Sequence, residues 1–443
     1  MRDPYETLAA RAAEDPGRTA FRHLTYADGG DVAGAAETVT YGGLLARADA
    51  VARALAERAA PGERVVLLYP NGLAFVAALF GCVAAGVVAV PAPPPSPGRQ
   101  RRALPRLRAI VDDASPRLIA TDRATLPTVA ELAAGDPALA ALEPLATDAL
   151  EPAAGGFARP AGRGGLLCLQ YTSGSTSTPR GVMVTRDALW HNSEAIRLAW
   201  GYGPGSRSVM WVPNFHDDGL VHGIVQPVHA GFPCTLMSPL DLLARPARWM
   251  RAVSDFAATH SGGPNFAYEL AVRKTGPAER QGLELGSWRV AYNAAEPVRL
   301  DTLRRFHEAF RAHGFRWRAF HPSFGLAEAT LLVTTGGADE DPAAVHADPR
   351  VLEHEQRLAE AAPGAGRPLA GCGRPVEGTR VAVVDPEARL ALEDGRVGEI
   401  WVASRSLAAG YWRRPEATAE TFGATLADGG GGPFLRTGDL GFL

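Results

Sequence analysis

Residues 73–90, LAFVAALFGCVAAGVVAV, carry no charge, and Pro91 ends the run. Its length reaches the threshold of a membrane-spanning helix, roughly 18 residues. Composition decides against a span: Ala and Gly dominate the run, Gly86 interrupts it and the proline stops it. The segment reads as a buried helix passing into a strand over 87–90. Its neighbours repeat the pattern, with helices near 5–14 and 41–58 and a strand at 64–68. After the proline-rich turn 91–97, residues 99–113 form a basic amphipathic helix and 118–121 a short strand. This βαβ rhythm favours a mostly parallel sheet with helices on both faces.

Residues 136–165, rich in Ala, Gly and Pro, read as loop and lead to an apolar strand at 166–171. A second α/β rhythm runs from 208 to about 335, with strands near 209–212, 233–237 and 290–293. The polar segment 336–368, with one helical pattern at 350–362, is too long for an ordinary connection and is either a functional insertion or a mobile flap. Beyond Cys372, short β patterns at 379–384 and 398–402 suggest a small, mostly β lobe. A chain of 443 residues exceeds one ordinary core. The expected division is a first α/β lobe at 1–205, a second at 206–335, the insertion at 336–368 and the β lobe at 369–443.

Lys+Arg 45 against Asp+Glu 48 gives a net charge of −3, which supplies no basic field for nucleic acid or an anionic membrane. Lys274 is the single lysine, so chemistry that needs a compact ammonium must use it or find its lysine outside this chain. Cys82, Cys168, Cys234 and Cys372 form no CxxC pair, which indicates neither a zinc site nor a disulfide framework. The N-terminus has no apolar signal core, and the expected location is cytoplasmic.

Chemistry concentrates in Tyr171-Thr172-Ser173-Gly174-Ser175-Thr176-Ser177-Thr178-Pro179-Arg180-Gly181, between an apolar strand and a second apolar stretch, 182–184. Hydroxyls and backbone N–H groups in a glycine-punctuated turn can wrap phosphate oxygens without adding negative charge. The run is neither a Walker A loop nor a GxSxG elbow. On its own it could also be an ordinary Ser/Thr-rich connection.

The run resembles the phosphate-binding motif of the acyl- and aryl-adenylate-forming enzymes. Further matches follow in order: Ser323-Phe324-Gly325-Leu326-Ala327-Glu328 resembles YGxTE, Gly398-Glu399 with Gly410-Tyr411-Trp412-Arg413-Arg414-Pro415-Glu416 resembles GE…GYxxRPE, and Arg436-Thr437-Gly438-Asp439-Leu440 resembles RTGDL. Within that superfamily the chain is most similar to the fatty acyl-AMP ligases. These activate a fatty acid as its adenylate and pass it to an acyl carrier protein. The carrying residues include Gln170-Tyr171, Asn214-Phe215-His216-Asp217-Asp218-Gly219, Gly262-Gly263-Pro264-Asn265-Phe266 and Asn293-Ala294-Ala295-Glu296-Pro297. Residues 336–368 fall where that family carries an insertion thought to disfavour coenzyme A.

The resemblance implies two stacked αβαβα subdomains with a small distorted β-barrel subdomain. It implies ATP and Mg²⁺ as cofactors, a fatty acid as substrate and an acyl carrier protein as partner. Thr172, Ser173, Gly174, Ser175, Thr176 and Arg180 would hold the phosphates, and Glu328 with Thr176 the metal. Ser323, Phe324 and Gly325 would face adenine, Asn293, Ala294, Ala295 and Glu296 would line the adenine and acyl mouth, and Asp439 would accept both ribose hydroxyls. His216 would sit where acyl carboxylate and phosphates meet, and Asp218, Gly263, Asn265 and Phe266 would contact the acyl chain. Asp217, Asp218 and His222 fit no standard zinc spacing. Three positions depart from the family pattern: Arg180 replaces lysine, Phe324 replaces tyrosine, and Asp218 replaces methionine.

Leu443 follows closely on the RTGDL match, where the family continues into a smaller domain with a catalytic lysine, and Lys274 matches no catalytic position. The expectation is a large domain that binds substrates and adenylates weakly alone. The alternatives are an acyl-CoA synthetase and an adenylate-binding module with impaired catalysis.

Overall fold

The computed structural model describes residues 3–27, 30–95, 100–152, 156–160, 165–172, 179–362 and 365–443, and of residues 100–103 only the backbone. One sheet has six strands, in spatial order Glu143–Ala146, Leu118–Thr121, Arg64–Leu68, Val88–Ala92, Leu166–Thr172 and Arg180–Thr185. All its neighbours are parallel except the last pair. The second sheet has nine strands, in the order Arg374–Pro375, Leu332–Thr335, Phe320–Gly325, Val290–Asn293, His260–Gly263, Ser208–Met210, Cys234–Leu236, Thr19–Thr25 and Ala35–Thr40. It is parallel in its middle and antiparallel at both edges.

The apolar run becomes the helix Leu73–Ala85, buried at every residue but Ala74. It is apolar all round because it forms a middle layer, touching Thr19–Thr25 of one sheet and Arg64–Leu68 and Leu118–Thr121 of the other. One hydrophobic cluster accordingly joins Phe21, Val209 and Val290 to Val65, Leu67 and Ala89. Each of these valine, leucine or phenylalanine side chains, fully buried, contributes roughly 1.5–3 kcal/mol. The helix lies so close to Tyr41–Ala56 that a Cβ on Gly81 would come 2.6 Å from Val51 Cγ1. Left-handed Gly86, at φ 76, then ends it. Among the described residues no helix is long and apolar enough to cross a membrane.

The strand after it runs through Pro91 to Ala92, past the expected end at Val90. Its described ladder with Leu166–Thr172 is the single pair Ala89–Cys168, so the proline removes no donor on that side. The stretch read as loop, 136–165, contains the edge strand Glu143–Ala146, hidden from pattern reading by its four-residue length and by Pro144. Sheet membership also departs from chain order, because the hairpin Thr19–Thr25 and Ala35–Thr40, inside 1–205, completes the nine-stranded sheet by pairing with Cys234–Leu236.

Within 336–368 the expected helix at 350–362 is only Pro349–His354, capped by Asp348. The remainder closes a two-stranded ladder, Ala344–Ala347 with Arg367–Ala370. It is tied to the small lobe by Leu358 N–H to Gly395 O (2.6 Å) and Val397 N–H to Gln356 O (2.8 Å). The small lobe is an antiparallel sheet of Thr379–Val384, Gly398–Ser404 and Leu435–Gly441, with Trp401, Phe434 and Val384 inside, and no closed ladder is formed among its described residues.

Candidate active site

The glycine-rich run begins and ends on one hairpin, where Tyr171 pairs with Gly181 and Thr172 with Arg180. Ser173, Gly174, Ser175 and Thr176 lie outside the described residues. At the root, a Cβ on Gly181 would come 2.9 Å from Tyr171 Cζ, which reserves the position for glycine. Gln170, one residue earlier and buried, has its amide oriented to donate to Phe215 O (3.2 Å) and accept from Asp217 N (3.0 Å). It thereby fastens the loop of His216 to the strand that leads into the turn.

Thr172 and Arg180 line a cleft of about 510 Å³ together with Glu328, Tyr411, Arg436 and Asp439. Glu328 rides on the single turn Ala327–Ala329. The chain reaches that turn through Gly325, where a Cβ would collide with Leu331 O at 1.9 Å. It leaves through Thr330, held at φ 71 with its hydroxyl on Ser406 O (2.6 Å). Tyr411 donates to Glu328 Oε1 (2.9 Å), and the Arg180 guanidinium lies 5.4 Å over the Tyr411 ring. Burial raises the Glu328 pKa; the Tyr411 hydrogen bond and the Arg180 charge oppose that rise, and Asp217 adds to it.

Asp439 is placed by its own strand. Buried Glu399 receives Arg436 (2.8 Å) and Gly438 N–H (3.1 Å), and Thr437 donates to Ile400 O (2.7 Å). Gly438, at φ 75, turns the backbone so that Asp439 meets the cleft. Its carboxylate accepts no hydrogen bond from the described residues, and burial raises its pKa.

His216 is half exposed, and its Nδ1 lies 2.5 Å from Asp217 Oδ1. Burial works against its charge, but Asp217, by charge and hydrogen bond, and Asp218 behind it carry the pKa up to about 9. It is therefore a cation at neutral pH, suited to meet anions. Asp218 turns inward, accepting from Tyr292 OH (3.0 Å) and lying 3.2 Å from His222 Nδ1, while Tyr202 OH reaches the far nitrogen of that ring. Among the described residues no group of three His, Cys, Asp or Glu could hold a metal ion.

The residues expected at the acyl chain gather where the parallel strands His260–Gly263 and Val290–Asn293 end, the usual ligand edge of such sheets. Gly263, at φ 151, faces Trp211, whose Cζ2 would lie 2.3 Å from an added Cβ. The exposed Phe266 meets the same indole edge-on at 6.0 Å between centroids. The buried Trp211 Nε1 and Asn293 Oδ1 have no hydrogen-bond partner among the described residues. Asn265 is a brace: its amide donates to Thr302 (3.2 Å) and accepts from Arg299 N (3.1 Å).

Several expected contacts are engaged within the protein. Glu296 accepts from Phe266 N (2.6 Å) at the start of helix Asn265–Lys274, where a carboxylate suits the helix dipole. Ala294 and Ala295 continue the turn, Ala295 at φ 68. Ser323 binds His321 O and Thr335 Oγ1, both at 2.9 Å. Phe324 packs on Ala329, Val333, Val402 and Leu435. Sequence reading missed Tyr411, Glu399 and Glu420 as cleft residues; Tyr411 and Glu399 stand in the quoted motifs, and Glu420 carries no motif signal.

These donors suit a nucleotide. Thr172 and Arg180 can meet phosphate oxygens, Asp439 has unused acceptor capacity for a vicinal diol, and one carboxylate, Glu328, is what Mg²⁺ needs when phosphates supply its other ligands. A second cavity, about 540 Å³, lies beyond the C-terminal ends of strands Arg64–Leu68, Leu118–Thr121 and Glu143–Ala146, among His23, Arg47, Asn71, Arg123 and Asp148, and it contains no residue of the motifs.

Residues 8–412 match the family of AMP-binding enzymes. The chain is 45% identical over 412 residues to a medium-chain-fatty-acid–[acyl-carrier-protein] ligase, JamA, of Moorena producens (strain JHB), covering 92% of this chain and 70% of that protein. It is 36% identical over 448 residues to a long-chain-fatty-acid–AMP ligase of Mycobacterium marinum, covering 98% of this chain and 76% of that one. The crystal structure of a fatty acyl-adenylate ligase from L. pneumophila, in complex with acyl adenylate and pyrophosphate, superposes with a TM-score of 0.89 at 34% identity, over 100% of this chain and 75% of that one.

Proposed function

The chain belongs to the AMP-binding enzymes, and from that premise we propose that it activates a fatty acid with ATP to an acyl-adenylate for delivery to the phosphopantetheine thiol of an acyl carrier protein. In that reaction a carboxylate oxygen bonds to the α-phosphorus of ATP, the bond to the bridging oxygen breaks, and pyrophosphate leaves. Two anions must be held together, so the site has to neutralise charge and fix direction. His216 and Arg180 supply cations, Thr172 a hydroxyl donor, and Asp439 the ribose acceptor. Glu328 would hold Mg²⁺, which when bound supplies further charge neutralisation on the phosphates. Gly263, Trp211 and Phe266 would receive the acyl chain.

The observation that carries this reading is a single cleft lined both by an unengaged ribose-type carboxylate, Asp439, and a metal-type carboxylate, Glu328, and by Thr172 and Arg180 at the ends of the hairpin strands. For the acceptor, the support is the insertion at 336–368, pinned to the small lobe at Gly395 and Val397, together with the carrier-protein ligase among the relatives. The test is ATP–pyrophosphate exchange with fatty acids of graded length, followed by acyl transfer to a holo carrier protein or to coenzyme A. Exchange with a fatty acid and transfer to the carrier protein support the proposal. Transfer to coenzyme A alone moves the chain to the acyl-CoA synthetases, and adenylate binding without exchange points to a binding module.

A further inference from the structure

Helix Gln100–Ala114 ends on Asp112 and Asp113 with no basic residue in its last turn, although a helix C-terminus disfavours carboxylates. Asp112 is offset locally by Arg108 at 2.8 Å. Asp113 is offset across the fold: it accepts from Tyr171 OH at 2.7 Å and from Arg414 at 3.0 Å, while Arg413 reaches its backbone oxygen at 3.3 Å and Ser115 Oγ at 3.0 Å. Tyr171 precedes Thr172 of the cleft lining, and its ring packs on Gly181, which follows Arg180 of the same lining. Arg414 belongs to the segment of the small lobe between its strands Gly398–Ser404 and Leu435–Gly441. That segment also pairs with strand Arg180–Thr185, through Met183 N–H to Gly410 O (2.9 Å) and Trp412 N–H to Gly181 O (2.8 Å). The two strands that carry Thr172 and Arg180 are thus held by separate attachments that meet in residues 410–414.

We propose that Asp113 is a positioning residue that ties the root of the phosphate-binding turn, through Tyr171, to the small lobe, through Arg414. This rests on the reading of 171–181 as the phosphate turn. Asp113 touches no nucleotide. It fixes the end of the strand that carries Thr172 relative to the segment that leads on to the strand of Asp439, so phosphate and ribose contacts are made together. Loss of the tie lets the two halves of the nucleotide site vary independently.

The test is the affinity of the chain for a non-hydrolysable ATP analogue, measured well below the melting temperature, for the wild type, Asp113→Asn, Tyr171→Phe, Arg414→Gln and the Tyr171→Phe/Arg414→Gln pair. Asp439→Asn serves as the control for the site itself. Expected is a loss of about fivefold or more for Asp113→Asn, with the double variant no worse than Asp113→Asn. Nucleotide should also slow amide exchange at 408–414 in the wild type and not in Asp113→Asn. Should Asp113→Asn and Tyr171→Phe melt lower yet bind the analogue within twofold of wild type while Asp439→Asn loses it, the tie is merely structural and the inference is overturned. If Asp439→Asn also binds normally, the cleft is not the nucleotide site and the underlying reading falls instead.

Discussion

Tyr411 donates its phenolic proton to Glu328 Oε1 across 2.9 Å, joining a motif near the end of the chain to a carboxylate 83 positions earlier. A hydrogen bond to a charged, buried acceptor contributes about 1.5–3 kcal/mol. Tyr411→Phe should therefore weaken Mg²⁺–nucleotide binding by about tenfold or more, measured by calorimetry at fixed magnesium. The Tyr411 bond holds the Glu328 pKa down against burial, so the acid limb of binding should move to higher pH in the variant.

His216, with its pKa at about 9, lies above the ordinary imidazole value of 6.5, so its pairing with Asp217 stabilises the folded chain fully below about pH 6.5 and is lost as pH rises through about 9. Asp217→Asn should lower the melting temperature at pH 6 and leave it unchanged above pH 9.5. Because the imidazole is 48% exposed, the difference should stay within about 1 kcal/mol. A gap that widens with pH would contradict the pairing.

Glu399→Ala leaves Arg436 and the Gly438 N–H without their acceptor in a site where Glu399 is 5% exposed. Removing one partner of a buried pair costs about 3–5 kcal/mol, and the partial exposure of Arg436 places this case at the low end, about 3 kcal/mol. Urea unfolding of the small lobe and loss of nucleotide affinity through Asp439 should appear together.

Gly263→Ala should be destabilising by about 1–3 kcal/mol, because its Cβ would meet Trp211 at 2.3 Å and the backbone sits at φ 151. Binding of an acyl-adenylate analogue should fall further than binding of ATP alone. Equal losses for the two ligands would remove Gly263 from the acyl wall.

Lys274→Ala is the contrasting case. The only lysine is exposed in the last turn of helix Asn265–Lys274, away from the cleft residues. Stability should stay within about 0.5 kcal/mol and nucleotide affinity should be unchanged.

Local signals were legible wherever a segment's own pattern decides its structure. The uncharged run 73–90 and the strand 290–293 announce themselves within a few residues. The hairpin at 19–40 does not, because its partner is Cys234–Leu236 and nothing in either segment names the other. The same holds at the site. Asp439 and Glu328 follow from short motifs, whereas the orientation of Glu328 depends on Tyr411, and Ser323 spends its hydroxyl on Thr335 of the neighbouring strand. Asp217 and Asp218 are adjacent in sequence, yet one charges a half-exposed His216 and the other, half-buried, accepts from Tyr292.

The late partner of that hairpin also sets a timetable for biosynthesis. Ala35–Thr40 and Thr19–Thr25 are synthesised about two hundred residues before Cys234–Leu236. At roughly 5–20 residues per second, the inner strand therefore waits about ten seconds or longer on the ribosome with a bare edge. Such an edge invites pairing with other nascent chains. The outer strand, largely exposed and bearing Glu37, is suited to guard one side during the delay, but the other edge of Thr19–Thr25 stays open until Cys234 emerges. Slow codons between these two points would lengthen that exposure, so soluble yield on heterologous expression should depend on translation speed through this stretch more than through any other.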